Sequence, residues 1–285
     1  MTSRIYAKKA AVACLLGLCC WPMTNAYAWG IYGHRLVTDL AMSQLSSAQR
    51  HQVNHVLAGC PLLPQSARSA MAASAWPDVI KQQGVLQFND WHYTNLPLLK
   101  TPRHSHINAG GRLLWALRHN LDILRNTHLG VCDHAFALAF VMHLVADAHQ
   151  PLHCANIYSV DFPDGDNGGN RYLLPLARTP NLHRYWDMGA GLLLGKHRLT
   201  RQQLAKFWQN STDDGVRAKC QDLDAQSWVQ ESYILAQTVV YTTPLNVRPS
   251  FNYQQRARVV VKNQLALAAC RLAGVLRQQL PYLRE

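Results

Sequence analysis

The sequence predicts an all-α protein with a single, mostly helical domain. Apolar residues recur at three- and four-residue spacing through most of the chain, which is the period of an amphipathic helix. We find no strong run of alternating apolar and polar residues of the kind that half-buried strands show. We also find no repeat, low-complexity tract or linker that would divide the chain.

Each predicted helix follows from this period and from its end signals. The second begins after Ser46 or Ser47 as N-cap and stops at Gly59, and Pro151 ends the fourth. The last is long and amphipathic enough to pack across the others. The predicted segments are 33–45, 46–59, 108–126, 133–149, 181–194, 200–210, 225–241 and 253–280. We expect irregular functional loops near 61–66, 78–107 and 154–180, the third dense in Asp, Asn and Gly.

Residues 1–28 have the pattern of a secretory signal peptide. A basic start precedes an apolar run that is too short to span a bilayer, and Ala26–Ala28 places small residues at positions −3 and −1 of a cleavage site. Cleavage after Ala28 would leave residues 29–285 as one domain that begins with Trp29. We therefore expect an exported protein, either periplasmic or secreted.

The alternatives at the N-terminus are an uncleaved anchor and a lipoprotein cut before Cys19 or Cys20. The short apolar run disfavours the first, and the large or unsuitable residue before each cysteine disfavours the second. We expect no later segment to be long and apolar enough to cross a membrane, because 136–142 runs into His143 and 259–276 is interrupted by charged and amide side chains.

Five cysteines follow the signal, an odd number with no CxxC pair: Cys60, Cys132, Cys154, Cys220 and Cys270. Disulfides can form after export, but the sequence leaves their pairing open, and at least one thiol stays unpaired. Cys154 follows a histidine and could bind a metal ion, although a packed or disulfide-bonded cysteine is the favoured reading.

The chain is strongly basic. Its formal net charge is +12, and three of the positive charges lie within residues 1–28, which leaves +9 after cleavage. Such an excess suits a polyanionic partner, either nucleic acid or an anionic lipid surface.

The most informative string is HLVADAHQPLH, residues 143–153. His143 and Asp147 are four residues apart on one predicted helix, so both side chains project from the same face. His183 and Asp187 repeat this spacing in NLHRYWD. Imidazole and carboxylate at this spacing make a good zinc half-site, and His153 just beyond the first helix adds a further ligand.

Two isolated strings supply further candidates. Asp78 follows Trp76-Pro77 in SAWPDVI, and His92 lies between aromatic residues in NDWHYTNLP. Taken alone, each pattern is more typical of a hydrogen-bonded structural residue.

These strings, in this order, resemble the S1/P1 family of zinc-dependent nucleases in its bacterial branch. The match runs from Trp29-Gly30 and Gly33-His34 through WPD, WHY, HLVADAHQPLH, GGN and NLHRYWD, and it covers most of residues 29–285. The resemblance implies the phospholipase C/P1 nuclease fold and a cluster of three zinc ions.

The resemblance also implies which residues hold each ion. The first zinc would take Asp78, His92 and His143, with Asp147 bridging to the second. The second would take His34 together with the α-amino group and carbonyl of Trp29, once cleavage has freed that amine. The third would take His153, His183 and Asp187.

The activity implied is hydrolysis of single-stranded DNA and RNA to 5′-phosphorylated products, with 3′-nucleotidase activity at the same site. Three zinc ions, three aspartates and a hydroxide would leave the site at about +2, which attracts a phosphodiester. Asp147 and Asp78 are the predicted catalytic residues: Asp147 bridges the ions that activate the attacking water, and Asp78 orients that water.

Four residues are predicted substrate contacts: Tyr93, Asn95, Lys100 and Asn170. Tyr93 would stack on a base, Asn95 would hydrogen-bond that base, and Lys100 would hold a flanking phosphate. A core role for Tyr93 and a turn-capping role for Asn170 stay open. Asn95 departs from the Asp of fungal members, which puts base preference in doubt.

Two other functions fit the same residues. One is a phospholipase C-like hydrolase acting through the same three zinc ions, and the other is an exported zinc-binding protein without catalysis. We infer no protein partner and no stable membrane insertion.

Overall fold

The computed structural model describes residues 29–100, 107, 110–210 and 214–283. The predicted signal peptide, residues 1–28, lies outside the described residues. The described chain is mostly helical, which confirms the predicted fold class. Its helices are α1 (Gly30–Met42), α2 (Ser47–Gly59), α3 (Ala70–Ala73), α4 (Trp76–Gln82), α5 (Leu113–Arg125), α6 (Val131–Ala148), α7 (Leu182–Asp187), α8 (Arg201–Gln209), α9 (Asp214–Ala218), α10 (Ala225–Thr238) and α11 (Phe251–Gln279).

The start of α2 shows how local signals set a helix boundary. The Ser46 side chain accepts a hydrogen bond from the Gln49 backbone N–H, and the Gln49 side chain accepts one from the Ser46 backbone. This reciprocal capping box satisfies two N–H groups that would otherwise lack a partner. Of the two predicted caps, Ser46 is therefore the one used.

The segment 181–194 was expected to form one helix, and that expectation is wrong. Helix α7 ends at Asp187 because Gly189 and Ala190 have left-handed φ angles of 60° and 50°. At Gly189 an added Cβ would lie 2.8 Å from the Leu193 side chain, so this turn packs too closely for a larger residue. Helix α4 likewise extends to Gln82, into the stretch 78–107 that was expected to be irregular.

A small parallel sheet lies between the helices. Strand β1 (Leu96–Leu99) pairs with β2 (Ala155–Tyr158) in the register Leu96 to Ala155 through Leu99 to Tyr158. Four-residue strands without alternating polarity carry no strand pattern in the sequence, which explains why neither was predicted. The sheet ties the chain just after His92 to the chain just after His153.

Helix α6 is the centre of the core. Most of its side chains are buried, and it packs against α1, α2, α5, α10 and α11. A helix that is apolar on nearly all sides is stable only when neighbours cover every side. Helix α6 therefore presents its polar side chains beyond Asp133 to the protein interior.

Two described helical stretches are long and apolar enough to cross a membrane by length and composition: Val131–Ala148 and Phe251–Tyr282. This corrects the expectation that no such segment follows residue 28. Of the two stretches, 78% and 72% are buried inside the domain. The core helices of soluble domains also meet these criteria of length and composition. Such helices are mostly buried, as these two are.

Two disulfides join distant parts of the chain. Cys60 at the end of α2 is bonded to Cys132 in α6, and Cys220 is bonded to Cys270 in α11. Among the described cysteines Cys154 is unpaired; it is buried and its Sγ lies 3.6 Å from the Ala148 carbonyl oxygen. Disulfides form in oxidising compartments, so this pairing is compatible with export.

Candidate metal centre

Eight buried His and Asp side chains, predicted as ligands from separate strings, converge at one place. They form three groups, in each of which the potential ligand atoms lie within 4.8 Å of one another. The groups are His34, His143 and Asp147; Asp78, His92 and His143; and His153, His183 and Asp187. They come from α1, α4, α6, α7 and the two turns before β1 and β2, so the centre is a product of tertiary packing.

Asp147 faces three imidazoles at one end of this centre. Its Oδ2 lies 3.2 Å from His92 Nδ1 and 3.2 Å from His143 Nε2, and its Oδ1 lies 3.5 Å from His34 Nε2. The carboxylate thus points one oxygen into each of two adjacent groups. Asp78 Oδ1 lies 3.8 Å from both His92 Nδ1 and His143 Nε2 on the neighbouring side.

The other end of the centre is built around Asp187. Its Oδ2 lies 3.4 Å from His183 Nε2, and the rings of His183 and His153 have centroids 5.0 Å apart. His183 and Asp187 lie on one face of α7, four residues apart, as the spacing predicted. His153 comes from the turn that follows α6.

Backbone carbonyls orient three of the imidazoles. Nδ1 of His143 donates to the Ser74 carbonyl at 2.8 Å, that of His153 to the His92 carbonyl at 2.5 Å, and that of His183 to the Gly168 carbonyl at 2.6 Å. Each bond places a proton on Nδ1 and turns Nε2 towards the centre. This arrangement is characteristic of histidines that bind metal ions.

The GGN string acts through its backbone. Gly168 has a φ of +60°, and a Cβ added there would lie 2.6 Å from the Leu152 carbonyl oxygen. Only glycine allows the chain to approach so closely that the Gly168 carbonyl reaches His183. The string therefore positions a metal-centre histidine.

Many polar atoms in the centre have no hydrogen-bond partner among the described residues. Buried polar atoms without partners are rare in folded proteins, because a polar atom that loses its hydrogen bonds to water and gains none in the protein costs free energy. Here they point at one another across the groups. The atoms are both ring nitrogens of His34, both carboxylate oxygens of Asp78, Oδ1 of Asp147, Nε2 of His153, Nε2 of His183 and Oδ2 of Asp187. This set of imidazole nitrogens and carboxylate oxygens fits zinc.

Burial keeps three of the imidazoles neutral. Desolvation lowers the pKa of His34 well below its ordinary value, and the neighbouring His143 ring adds to the effect. Desolvation also lowers the pKa of His153 to about 4 and that of His183 to about 3. A neutral imidazole is the form that binds a metal ion, so no proton has to be removed from these rings at pH 7.

The Asp147 end requires a positive charge. Burial lowers the pKa of His143, but the carboxylates of Asp147 and Asp78 outweigh burial and raise that pKa to about 9. Burial opposes ionisation of Asp147, yet His143 and the other imidazoles hold its pKa well below the usual range. In the protein alone a proton on His143 supplies the charge. A bound metal ion would supply it in place of the proton.

Gln150 is a residue of the centre that the sequence reasoning missed. Its Nε2 donates to Asp187 Oδ1 at 2.7 Å, and its Oε1 accepts from the Leu152 backbone N–H at 2.6 Å. One buried amide thus orients Asp187 and shapes the turn that carries His153. It lies inside the string HLVADAHQPLH, where only the ionisable residues were considered as candidates.

Trp29 is buried next to the centre. It is the N-cap of α1, and its indole Nε1 donates to the Ala146 carbonyl at 3.0 Å, one residue before Asp147. A Cβ added at Gly33 would lie 2.5 Å from the Trp29 Cβ. The close packing against Gly33 and the bond to α6 hold the first described residue of the chain in place.

The predicted substrate contacts lie outside the three groups of buried candidate ligands. Tyr93 and Asn95 are partly buried and Lys100 is exposed at the end of β1. Asn170 is differently placed: its side-chain amide donates to the Asn167 carbonyl at 2.9 Å and closes a turn. The geometry thus favours the turn-closing role for Asn170, whereas Tyr93 borders the ligand His92.

His149 lies away from the metal centre, as expected from its position on the helix. Its Nδ1 donates to the Val145 carbonyl at 2.7 Å, and its Nε2 accepts from Arg271 at 2.9 Å. Arg271 also donates to both carboxylate oxygens of Glu231, at 3.0 and 3.1 Å. We call His149, Arg271 and Glu231 the Arg271 network.

Comparison with known proteins assigns the family. A model of the family described as S1/P1 Nuclease matches residues 29–281. Endonuclease 3 of Arabidopsis thaliana is 26% identical over 290 residues, covering 90% of this chain and 90% of its own length. Nuclease S1 of Aspergillus oryzae is 23% identical over 277 residues, covering 88% and 91%. Because the match spans nearly all described residues and includes the whole metal centre, the chain belongs to the S1/P1 nuclease family of hydrolases, which act on phosphodiester bonds.

Proposed function

We propose that this protein is an exported, zinc-dependent nuclease that cleaves single-stranded DNA and RNA to 5′-phosphorylated products. The same site would remove the phosphate from 3′-nucleotides. The observation that carries the proposal is the convergence of three buried groups of partnerless imidazole and carboxylate atoms in a chain of this family. Placement in the bacterial branch stays a prediction, since the relatives named above are plant and fungal proteins.

Three zinc ions are the proposed cofactors, held by the side chains of the groups described above together with the Trp29 backbone. Asp78, His92, His143 and Asp147 would hold the first, Asp147, His34 and the Trp29 backbone the second, and His153, His183 and Asp187 the third. When bound, zinc supplies a Lewis acid for phosphate oxygens and lowers the pKa of water. The donor types, their burial and their unpaired atoms all fit that ion.

Asp147 and Asp78 are the proposed catalytic carboxylates. Asp147 directs its two oxygens to different imidazole groups, which suits a bridging carboxylate. Asp78 has two carboxylate oxygens without hydrogen-bond partners, and burial raises its pKa. It can therefore accept a hydrogen bond from the attacking water and hold that water in line with phosphorus.

Substrate would approach past Tyr93. That ring borders His92 and is partly exposed, so it can stack on a base of the substrate, a contact worth about 1–3 kcal/mol. Asn95 would then contact the base edge and Lys100 a flanking phosphate. In the proposal Asn170 acts through the turn that it closes, rather than by reaching the substrate from a free amide.

The proposed cleavage after Ala28 would make the Trp29 amine part of the centre. The family match begins at this residue, and its indole is anchored beside Asp147. A free α-amine titrates near pH 8 and becomes a ligand when it loses its proton. A protein that retains Ala28 should therefore bind less zinc and lose activity, while a protein that begins at Trp29 should be fully active. Equal activity of the two forms would contradict the role of the amine.

The first experiment is hydrolysis of single-stranded DNA, RNA and a 3′-nucleotide by the zinc-loaded protein that begins at Trp29. Cleavage should stop on chelation and return with zinc. Phosphatidylcholine in mixed micelles serves as the second substrate. Hydrolysis of the lipid with no cleavage of nucleic acid would establish the phospholipase alternative. Zinc binding without hydrolysis of either substrate would establish a binding protein instead.

A further inference from the structure

A basic groove lies on the outer side of α1, α2 and α3, beside the start of α8. Its volume is about 620 Å³. Among the described residues that line it, three carry a positive charge, Arg50, Arg68 and Arg201, and one carries a negative charge, Asp39. The groove therefore has a net charge of +2, and we call it the arginine groove.

Two of these arginines are held in place without being neutralised. Arg50 donates to the Leu45 carbonyl and to Ser47 Oγ at 3.2 Å. Arg68 donates to the Leu63 carbonyl at 2.8 Å and to the Pro61 carbonyl at 2.9 Å. Carbonyl oxygens orient a guanidinium but leave its full charge. Within the described part of the chain, neither arginine pairs with a carboxylate, whereas Arg201 does, with Asp39 at 3.3 Å.

An oriented guanidinium without a carboxylate partner is suited to phosphate. Its planar N–H groups match two phosphate oxygens at once, and it is less strongly hydrated than an ammonium group. Several such groups along one groove match a ligand that repeats its negative charge, as a nucleic-acid backbone does.

The groove is separate from the metal centre but shares its supporting segments. On α1, Asp39 follows His34 by five residues, which places the two side chains roughly 140° apart around the helix and about 7.5 Å apart along it. His34 is fully buried, and Asp39 lines the groove. Helix α3 lines the groove and leads directly to Ser74, whose carbonyl orients His143. The groove is thus a second contact region and not part of the reacting site.

We infer that the arginine groove is an exosite that holds the phosphate backbone of a single-stranded nucleic acid while another part of the same strand occupies the metal centre. This inference rests on the proposed nuclease function. A second contact on one polymer makes binding at the first effectively intramolecular, so it raises affinity for long strands and leaves short ones unaffected. Arg50 and Arg68 supply the contacts, whereas Asp39 neutralises Arg201 and places a negative charge in the groove.

The test compares a double variant, Arg50→Gln with Arg68→Gln, with a matched control, Arg217→Gln with Arg256→Gln. The control removes the same charge at exposed positions outside the groove, and Arg217 also donates to two backbone carbonyls, of Trp208 and Gln209. KM is measured with the zinc-loaded enzyme for a long oligodeoxythymidylate and for the corresponding dinucleotide. Loss of two single-strand phosphate contacts should raise KM for the long strand on the order of tenfold at physiological salt, with KM for the dinucleotide unchanged.

Salt dependence gives a second readout. The slope of log kcat/KM against log salt for the long strand should become shallower by about 1.4 in the groove variant and stay unchanged in the control. Asp39→Asn should act in the opposite direction and lower KM for the long strand, which keeps the inference testable if the double variant folds poorly. Equal effects of groove and control variants would overturn the inference.

Two further outcomes separate this inference from the proposed function. Binding of a phosphorothioate oligonucleotide, which resists cleavage, is followed by fluorescence anisotropy with the same zinc-loaded variants. Weaker binding by the groove variant alone would support the exosite even if no nuclease activity were found. The substitutions in the groove could instead abolish co-sedimentation of the protein with phosphatidylglycerol vesicles and leave oligonucleotide binding unchanged. In that case the groove binds a membrane surface and the inference is overturned.

Discussion

Two buried polar clusters meet at the end of α6, and they contain the same kinds of side chain. One is the metal centre, and the other is the Arg271 network. In the Arg271 network both nitrogens of His149 have protein partners, and the guanidinium of Arg271 is paired with the Glu231 carboxylate and packs against Trp228. In the metal centre, many buried nitrogen and oxygen atoms have none among the described residues.

This difference distinguishes the candidate ligand histidines from a structural one. Burial and residue type do not separate His149 from His153, because both are buried on the same stretch of chain. Hydrogen bonding does separate them. A buried polar cluster whose atoms all have protein partners stabilises the fold, whereas a cluster whose atoms lack protein partners is suited to bind a ligand. The following variants test this distinction, in order of their expected effect on activity.

The largest effect is expected from Asp147→Asn. The amide keeps the size of the side chain but removes the charge that faces His34, His92 and His143. We expect activity to fall on the order of a thousandfold or more, with a lower zinc content per chain by mass spectrometry of the metal. Glu231→Gln in the Arg271 network is the matched control and should retain zinc and most activity. Full activity of Asp147→Asn would refute the bridging role.

A smaller effect on activity is expected from Gln150→Leu. The substitution removes the hydrogen bond to Asp187 Oδ1 and the one from Leu152, without removing any ligand. Groups that orient ligands typically contribute about 10–100-fold to metal affinity or activity, and we expect a loss in that range. Zinc titration followed by activity measurement checks it. Gln264→Leu alters another buried amide, one that donates to the His149 carbonyl, and it should lower stability without weakening zinc binding.

Arg271→Met should affect stability and leave chemistry almost intact. It removes two hydrogen bonds to Glu231, which is 20% exposed and keeps Lys219 at 3.5 Å, and losing hydrogen bonds to a charged group costs about 1.5–3 kcal/mol. The melting temperature should fall by roughly 10 °C, while activity at 25 °C changes by less than about threefold. Thermal unfolding at fixed zinc concentration measures this. The double variant Arg271→Met with Glu231→Leu should recover part of the loss, because the carboxylate that has lost its arginine is then also removed. A large loss of zinc from Arg271→Met would place the Arg271 network inside the functional site.

The parts of the structure that the sequence predicted are those with local causes. The pairing of His143 with Asp147 and of His183 with Asp187 follows from four-residue spacing on a helix, and the Ser46 cap is a signal within four residues. Resemblance to a family then supplied the candidates without a local pattern, such as Asp78 and His92. Their convergence in the structure agrees with that assignment.

The parts that could not be predicted depend on contacts between distant segments. Arg271 lies 122 residues from His149, and nothing around it in the sequence marks it as buried. The carbonyls of Ser74 and Gly168 act through backbone geometry, which leaves no side-chain signature except the glycine itself. The end of α7 depends on left-handed backbone at Gly189 and Ala190, in a stretch whose apolar spacing still looks helical.

Asp166 is the strictest test of this distinction, because it is a buried carboxylate and both of its oxygens accept hydrogen bonds from the protein. The Tyr241 hydroxyl donates to its Oδ2 at 2.8 Å and the Ile157 backbone N–H to its Oδ1 at 3.2 Å. Burial nevertheless raises its pKa from 3.8 to about 6. The folded protein thus holds a proton on Asp166 between these pH values that the unfolded chain has released. The stabilisation from this proton is complete below pH 3.8 and is lost as the pH rises through 6.

Asp166→Asn should therefore have the smallest effect on activity and a distinct effect on stability. Removing the ionisable group should abolish a decline of up to about 3 kcal/mol in the free energy of unfolding between pH 3.8 and 6. Urea unfolding of both proteins across that range measures the difference in slope. Zinc content should stay the same, because Asp166 belongs to none of the metal-ligand groups. If Asp166→Asn lost zinc as Asp147→Asn is expected to, satisfied hydrogen bonds would not distinguish structural carboxylates from ligands in this fold.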